Sequence, residues 1–531
     1  MFPNFSIFAK RKCEQFIDTV NIRGVDKIVK SQNVFITGSW TVGVILCSGF
    51  LLWQTSVLFN RYFSYPYNTV VRKSENKPIF PKITICNLNP KYNQHNYSYT
   101  EFVNQVEKIT SKLDYEKLNI TKDKMADILN KLQKPIGYFS NLPVVPYVND
   151  SSYDRVFIVD QSVFDWNFKK LSGKEVITPI WHPAYYRCYT ISFPTEIRSS
   201  VSAVSLVIYL NNFGDYIYPG TYGAGFTYSR ANGLKVLVHD PGEDPDMKTG
   251  VSVGSGCEMS LKMQMVNRSR LPYPYQKNGC KDKNHINLTR SGFYSKSLCV
   301  EHCVQRITLQ KCRCLSSGYR FTSEQLKKAN ETICGNVTKS NFQPVNNNET
   351  PQFISQLICS ESIKVDDLCA SKCLDSCQEI SYHSPGQTAP WPEESQQLAF
   401  YKRYIYNSLY PNIDKFDKYK ELQASFVGGL KNDSQIIREL KSLDLIRENF
   451  VQLNFIFEND YILHYNDVEA MSLTLFISSF GGTLSLWMGI TAMTFIEIIE
   501  FIYLQVVSIF LEKKVENNSG KDGEVIEKDE E

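Results

Sequence analysis

Several catalytic signatures are missing from the 531 residues. There is no G-x-S-x-G, no H-E-x-x-H and no P-loop, and the seven histidines form no ligand spacing. An enzyme is therefore not expected. Excess charge is missing as well: the formal net charge is only +3 and no long basic run occurs, which removes nucleic-acid binding from the classes to consider. The most informative absence is local. No charged residue lies between Ser31 and Asn60, and none between Ala470 and Ile496.

Those gaps in charge are apolar. Val34 to Phe59 reads VFITGSWTVGVILCSGFLLWQTSVLF, which as a helix spans about 39 Å, enough to cross a bilayer with some tilt. The second run resumes its apolar character after Glu497 and Glu500 and continues to Leu511, so it is also long enough. The first run is not a cleavable signal peptide, because a long polar stretch precedes it and no small-residue cleavage site follows. Lys10, Arg11, Lys12, Arg23, Lys27 and Lys30 outnumber Glu14, Asp18 and Asp26 ahead of it, and Lys513 and Lys514 follow the second run. By the positive-inside rule both termini face the cytoplasm and residues 61–469 face outward.

Two features of that outer loop agree with this topology. N-glycosylation sequons occur at Asn96, Asn119, Asn149, Asn267, Asn287, Asn330, Asn336, Asn348 and Asn432. Of 15 cysteines, 13 lie in the loop, which implies an oxidising compartment. Cys13 is then cytosolic and Cys47 intramembrane.

Ten of the cysteines fall between Cys280 and Cys377. Cys299 and Cys303 are four apart, as are Cys369, Cys373 and Cys377, so on helices each set shares one face. Two antiparallel helices could then be joined by a ladder: Cys299 to Cys373 and Cys303 to Cys369, with Cys280 to Cys377 and Cys312 to Cys359 beyond and Cys314 to Cys334 closing the far end. Sequence alone leaves the connectivity open. A zinc site, with His302 nearby, is the competing reading, but C-x-x-x-C pairs in a glycosylated outer loop are more often disulfides. With Cys86 paired to Cys188, Cys257 is left over, as a buried free thiol or as a link between subunits. Around the ladder, runs such as RVFIV, AVSLVIYL, LKVLVH and FVQLNFIF alternate with Gly, Pro and Asn turns, which predicts a central β-sheet with helical additions. Residues 91–175, amphipathic and Lys-rich, are expected to form a peripheral helical subregion.

Six motifs follow one another: FPKITICNLNP (Phe80 to Pro90), RCYT (Arg187 to Thr190), GLKVLVHDPGEDP (Gly233 to Pro245), RLPYPYQKNGC (Arg270 to Cys280), the cysteine ladder running into Trp391 and Pro392, and GGTLSLWMGIT (Gly481 to Thr491). In this order they resemble the degenerin and epithelial sodium channel superfamily, closest in character to its neuropeptide-gated or acid-sensing members. The resemblance covers nearly the whole chain. It implies an α+β membrane protein with two transmembrane helices and a large disulfide-rich extracellular β palm, helical thumb and finger, assembled as a trimer. The corresponding segments are a cytoplasmic N-terminus (1–33), a first span (34–60), an ectodomain (61–469) with a finger-like part (91–175) and a stapled thumb (280–380), a second span (470–511) and a cytoplasmic tail (512–531). His239 and Asp240 fall in one of its structural motifs.

The resemblance also assigns roles. The narrow selectivity belt corresponds to Gly489, Ile490 and Thr491 in the second span. A pore-lining helix needs small residues for close approach and oxygen atoms to replace ion hydration, which Gly481, Gly482, Thr483, Ser485 and Thr491 supply. The alternative is a small-residue packing face between helices. Ser478 falls at the gating position, where bulky substitutions hold channels open, and Ser479 replaces an acidic residue of many acid-sensing members. Outer-mouth attraction of cations is then expected from Asp467 and Glu469. Below the belt, Glu497 is expected to form a ring of three carboxylates, while Glu500 either shares that role or sits at the cytoplasmic interface.

Other positions bear on gating. Arg23 and Gly24 stand where the superfamily has His-Gly. Tyr65 and Tyr275 correspond to the wrist that couples ectodomain to pore, but Pro66 follows Tyr65 where acid sensors carry His, and Tyr275 replaces their Trp. Proton gating loses support, since His is the side chain that titrates near neutrality unaided. The expected function is a plasma-membrane, sodium-selective channel subunit, opened by an extracellular neuropeptide of the RFamide type and amiloride-sensitive. It would act in a homo- or heterotrimer, with sodium as permeant ion and no cofactor. A proton-gated or constitutively open channel of the same superfamily, and a two-span scavenger-type lipid receptor, are the alternatives.

Overall fold

The computed structural model of the chain describes residues 25–31, 33–88, 156–171, 175–182, 185–213, 231–282, 294–334, 352–363 and 366–507, with isolated positions omitted and a few added. Two compact units emerge, Met1–Thr69 with Asp467–Glu531, and Val70–Asn466.

The first unit is helical. Helix α1 (Val34–Phe63) starts at Asn33, whose side chain accepts the N–H of Phe35, and buries none of its residues within the single chain. A helix that is apolar all round belongs in lipid or in a large core. It runs three residues past the uncharged stretch and ends where Tyr65 turns left-handed at φ 48°. After Ser472, whose hydroxyl caps the N–H of Leu475, helix α8 (Leu473–Met488) runs to Gly489. A further helix, α9 (Met493–Val507), leaves it at 77°. Thus α1 is long and apolar enough to span, whereas α8 and α9 are so only as a bent pair. The uninterrupted second run of the sequence is two helices, because Gly489 takes a backbone conformation that ends one.

The second unit holds two sheets. Strands β1 (Tyr67–Ser74), β3 (Phe157–Asp165), β4 (Lys170–Leu171), β7 (Val201–Tyr209), β10 (Cys257–Ser269), β13 (Phe450–Phe457) and β14 (Ile462–Glu469) lie in the order β1-β14-β10-β13-β7-β3-β4. Two further strands, β11 (Gln378–His383) and β12 (Gly386–Pro390), pair with β10. Strand β10 is parallel to both β13 and β14. Strand β7 is buried on both faces, which is why its sequence is nearly continuous in apolar residues. The second sheet has the order β5-β6-β2-β8-β9, from β2 (Lys82–Asn87), β5 (Val176–His182), β6 (Tyr186–Ser192), β8 (Gly233–His239) and β9 (Val251–Gly254). Ile83, Ile85 and Val236 from this sheet share one core with Leu206, Leu261, Leu453 and Phe455 from the other.

The stapled region departs from the two-helix expectation. Helix α2 (Lys296–Cys312) is followed by the short α3 (Ser323–Lys328) and faces two further helices, α4 (Gln352–Ser362) and α5 (Asp366–Lys372), instead of one. Asp367 stands in the first turn of α5, where a carboxylate is favoured by the positive end of the helix dipole. Cys373 sits just past α5 and Cys377 just before β11, so neither lies inside a helix. Strands β3 and β4 occupy the end of the segment expected to be helical, with Phe157 and Ile158 of the RVFIV run starting β3; residues 91–155 lie almost wholly outside the described residues.

Helices α6 (Asp417–Val427) and α7 (Asp433–Leu443) are among the helical additions to the central sheet. They bury Tyr419, Leu422, Ile436 and Leu440 with Tyr209 and Phe450 of the large sheet.

Candidate functional site

Helix α8 has two unlike faces. Phe476, Phe480 and Trp487 point at α1: Phe59 meets Phe476 at 5.1 Å and Phe480 at 5.8 Å between ring centroids, and Phe50 stacks on Trp487 at 5.1 Å. Thr483 continues this face, is buried, and donates its hydroxyl back to the Ser479 carbonyl. Ser478, Gly481, Gly482 and Ser485 are exposed, and a Cβ added at either glycine would meet nothing within 4 Å. At 100° per residue, Ser478, Gly481 and Ser485 each stand about 200° from Phe476, Thr483 or Phe480. The small polar residues thus lie opposite the face that grips α1.

Gly489 closes the helix in the left-handed conformation, φ 68° and ψ 14°, and its N–H bonds the Ser485 carbonyl at 3.0 Å. An L-residue there pays roughly 1–2 kcal/mol, which is the reason for glycine. The carbonyls that follow Ser485 reach the helix end without helical donors. Ile490 and Thr491 form the link. Thr491 and Thr494 tie it reciprocally: the Thr491 N–H donates to the Thr494 hydroxyl at 3.2 Å and the Thr494 N–H to the Thr491 carbonyl at 3.1 Å. Thr494 is buried and Thr491 exposed. Glu497 and Glu500 follow on α9, the former half-buried and the latter exposed. Arg23 and Gly24 lie outside the described residues.

At the outer end of this unit one expectation needs correction. Asp467 is only 6% exposed and accepts the Thr69 hydroxyl at 2.7 Å, so it is a structural acceptor and not a free carboxylate at a pore mouth. Glu469 is exposed. Tyr65 belongs to this unit and Tyr275 to the other; the Tyr275 N–H closes a turn on the Pro272 carbonyl at 3.1 Å.

In the second unit the structure pairs Cys86 with Cys188, Cys280 with Cys377, Cys299 with Cys373, Cys303 with Cys369, Cys312 with Cys359 and Cys314 with Cys334. Cys47 and Cys257 are unpaired. Among the nine sequons, two asparagines lie in described residues. Asn432 is exposed and its side chain accepts the Gln435 N–H at 2.9 Å as the N-cap of α7, whereas Asn267 is half-buried in β10, between β11 and β14. Asn96, Asn119, Asn149, Asn287, Asn330, Asn336 and Asn348 lie outside the described residues.

His239 ends β8 with both ring nitrogens engaged. Nε2 lies 2.9 Å from the Thr84 hydroxyl, which is 2.8 Å from that of Thr190, and Nδ1 lies 3.0 Å from the Glu243 carbonyl. Burial, with a contribution from nearby Lys82, pushes its pKa down to about 4, against the raising effects of Asp240 and the Glu243 carbonyl. The ring is therefore neutral at physiological pH, with Nδ1–H donating and Nε2 accepting.

Comparison with known proteins places these features in context. The family described as "Amiloride-sensitive sodium channel" matches residues 16–501. The FMRFamide-activated amiloride-sensitive sodium channel of Cornu aspersum is 24% identical, the alignment covering 94% of this chain and 85% of that protein. The epithelial sodium channel subunit alpha of Neoceratodus forsteri is 23% identical, over 92% of this chain and 79% of its own. A degenerin-like protein of Caenorhabditis elegans, asic-2, is 21% identical, over 91% and 84% respectively.

Proposed function

Starting from the fact that this chain belongs to the amiloride-sensitive sodium channel family, we propose that it is one subunit of a trimeric, plasma-membrane sodium channel, opened by an extracellular RFamide-type neuropeptide and blocked by amiloride. Being a sodium channel follows from the family; trimer, stimulus and pore residues are the proposal. The observation that carries the pore assignment is the division of α8, with aromatic rings turned to α1 and Ser478, Gly481, Gly482 and Ser485 turned away from it. A small-residue face used to pack the two helices of one subunit would be turned the other way.

In this reading three copies of α8 bring their small faces to a common axis. The break at Gly489 presents main-chain carbonyls where an ion sheds water, because irregular backbone at membrane depth is tolerated where it lines a water-filled path. The Thr491 hydroxyl adds oxygen at the same level. Glu497, about two turns further on, raises the local cation concentration as a ring of carboxylates. Both termini are cytoplasmic, and the second span consists of α8 and α9 together.

Peptide gating draws support from the FMRFamide-activated relative and from the histidines. The neutral, internally bonded His239 does not titrate between pH 7 and 5, and Tyr65 is followed by Pro66. The test is whole-cell recording from cells expressing the chain, with a panel of amidated peptides and, separately, a step to pH 5. Amiloride-sensitive sodium current is expected with a peptide and none with acid alone. Current on the acid step alone would replace the peptide reading with the proton-gated one. Glu497→Gln is expected to lower single-channel conductance; unchanged conductance would remove Glu497 from the pore.

A further inference from the structure

Helix α1 carries one amide within its apolar run, Gln54, five residues before the run ends at Phe59, and it is not left to the lipid. The indole Nε1–H of Trp487 donates to Gln54 Oε1 at 2.6 Å. Phe50, one turn earlier on α1, stacks on the same indole with ring planes 14° apart. The Ser48 hydroxyl lies 3.7 Å from the sulfur of Met488. All three contacts fall on the last turn of α8, immediately before Gly489. Nearer the outer end, rings meet across the two helices, Phe59 and Tyr62 against Phe476 and Phe480. Ring contacts tolerate sliding and rotation, whereas a hydrogen bond has a fixed direction.

A polar side chain in hydrocarbon is costly unless paired, so neither Gln54 nor Trp487 gives up the other freely. Helix α8 ends at the next residue, Met488, and among the described residues no helical hydrogen bond continues across the break. The final turn is held by its own helical hydrogen bonds on one side only, and the contacts with α1 add the lateral hold that the missing following turn would give. We infer that Gln54 is a positioning residue for conduction: through Trp487 it fixes the rotation of the turn that ends at Gly489, and with it the preference for sodium over potassium. This rests on the reading of Gly489 to Thr491 as the selectivity belt.

The test uses the full-length chain with Ser478→Val to hold the channel open, and compares Gln54→Met, Trp487→Phe and the double variant. Surface labelling serves as the control for folding. Each single variant strands one polar partner and is expected to lower the sodium-to-potassium permeability ratio by up to about threefold, the average worth of such a bond between helices in a bilayer. The double variant, with both partners apolar, is expected to recover part of the loss. A purely structural tie would change surface labelling and leave the ratio alone.

A second measurement needs no current. A cysteine placed at Ser485 is expected to react with a water-soluble thiol reagent at a rate changed by Gln54→Met, while one placed at Ser478, two turns earlier, reacts as before. Unchanged permeability ratios and labelling rates overturn the inference. Thr491→Ala separates the two readings: if it alters selectivity and the Gln54 and Trp487 variants do not, only the inference fails. If none alters selectivity, the belt reading fails and the inference with it.

Discussion

His239 should make the ectodomain lose stability in acid by a calculable amount. In the folded chain its pKa is pushed down to about 4, and in the unfolded chain it lies near the ordinary 6.5. Below pH 6.5 the unfolded state takes up a proton that the folded state refuses, so unfolding becomes easier as pH falls, until the folded ring also protonates near pH 4. Linkage gives a loss of about 1.4 kcal/mol by pH 5.5 and about 2.6 kcal/mol by pH 4.5, with nothing lost from this group above pH 7. These are upper figures, because the ring is partly exposed. Replacing His239 with Gln keeps an acceptor for Thr84 and a donor for the Glu243 carbonyl while abolishing the titration. The assay is thermal unfolding of the purified, full-length channel at pH 7.5, 5.5 and 4.5, followed by intrinsic fluorescence, wild type beside His239→Gln. Carboxylates contribute equally to both proteins and cancel in the comparison. The wild type should lose more stability than the variant between pH 7.5 and 4.5. Equal losses in the two proteins would refute the argument.

Other outcomes follow from single residues. A Cβ at Gly233 would lie 2.0 Å from the Val253 carbonyl oxygen, so Gly233→Ala should cost more than about 3 kcal/mol and abolish mature protein at the cell surface, read by surface biotinylation. Asn432 separates modification from capping. Ser434→Ala destroys the sequon but leaves the Asn432 cap on Gln435, so the glycosylated band should shift in a gel with little change in melting temperature. Asn432→Ala should produce the same shift and cost about 1 kcal/mol more. Replacing both Cys303 and Cys369 with Ala removes one rung while Cys299–Cys373 still closes the long loop; the loss should be near 2 kcal/mol in thermal unfolding under non-reducing conditions, well below that for opening the whole loop.

Much of this architecture was legible because it is written in local patterns. The uncharged run Val34 to Phe59 fixes α1, the doubly buried β7 announces itself as AVSLVIYL, and β13, buried mainly on one face, as FVQLNFIF. The break in the second apolar run was readable only as glycine content; that Gly489, and not Gly481 or Gly482, ends the helix depends on the left-handed turn bonded back to Ser485. Helix α7 carries a local signal in the sequence: Asn432 and Gln435 form a capping box, in which the Asn432 N–H donates to the Gln435 side-chain oxygen at 3.2 Å. The split of the stapled helix into α4 and α5 was foreshadowed by Asp366 and Asp367. The burial of Asp467 could not be read in advance, since its partner Thr69 is 398 positions away. Nor could the tie between Gln54 and Trp487, for the same reason: pairing across the helices is decided by their rotation and not by spacing along either one.

The left-handed turn at Gly489 has a hereditary side. If main-chain carbonyls are what a sodium ion meets there, the property under selection is a torsion angle, and the genetic code reaches torsion angles only indirectly. Glycine codons differ from those of alanine, serine, valine and aspartate by one base. Every such change inserts a β-carbon that favours the right-handed form and so presses the chain to run on as helix. Drift at this site would then not grade the discrimination between ions up or down; it would switch the path between two backbone shapes. Descendants of this channel should vary freely in the side chain at Ile490 long before they vary at Gly489.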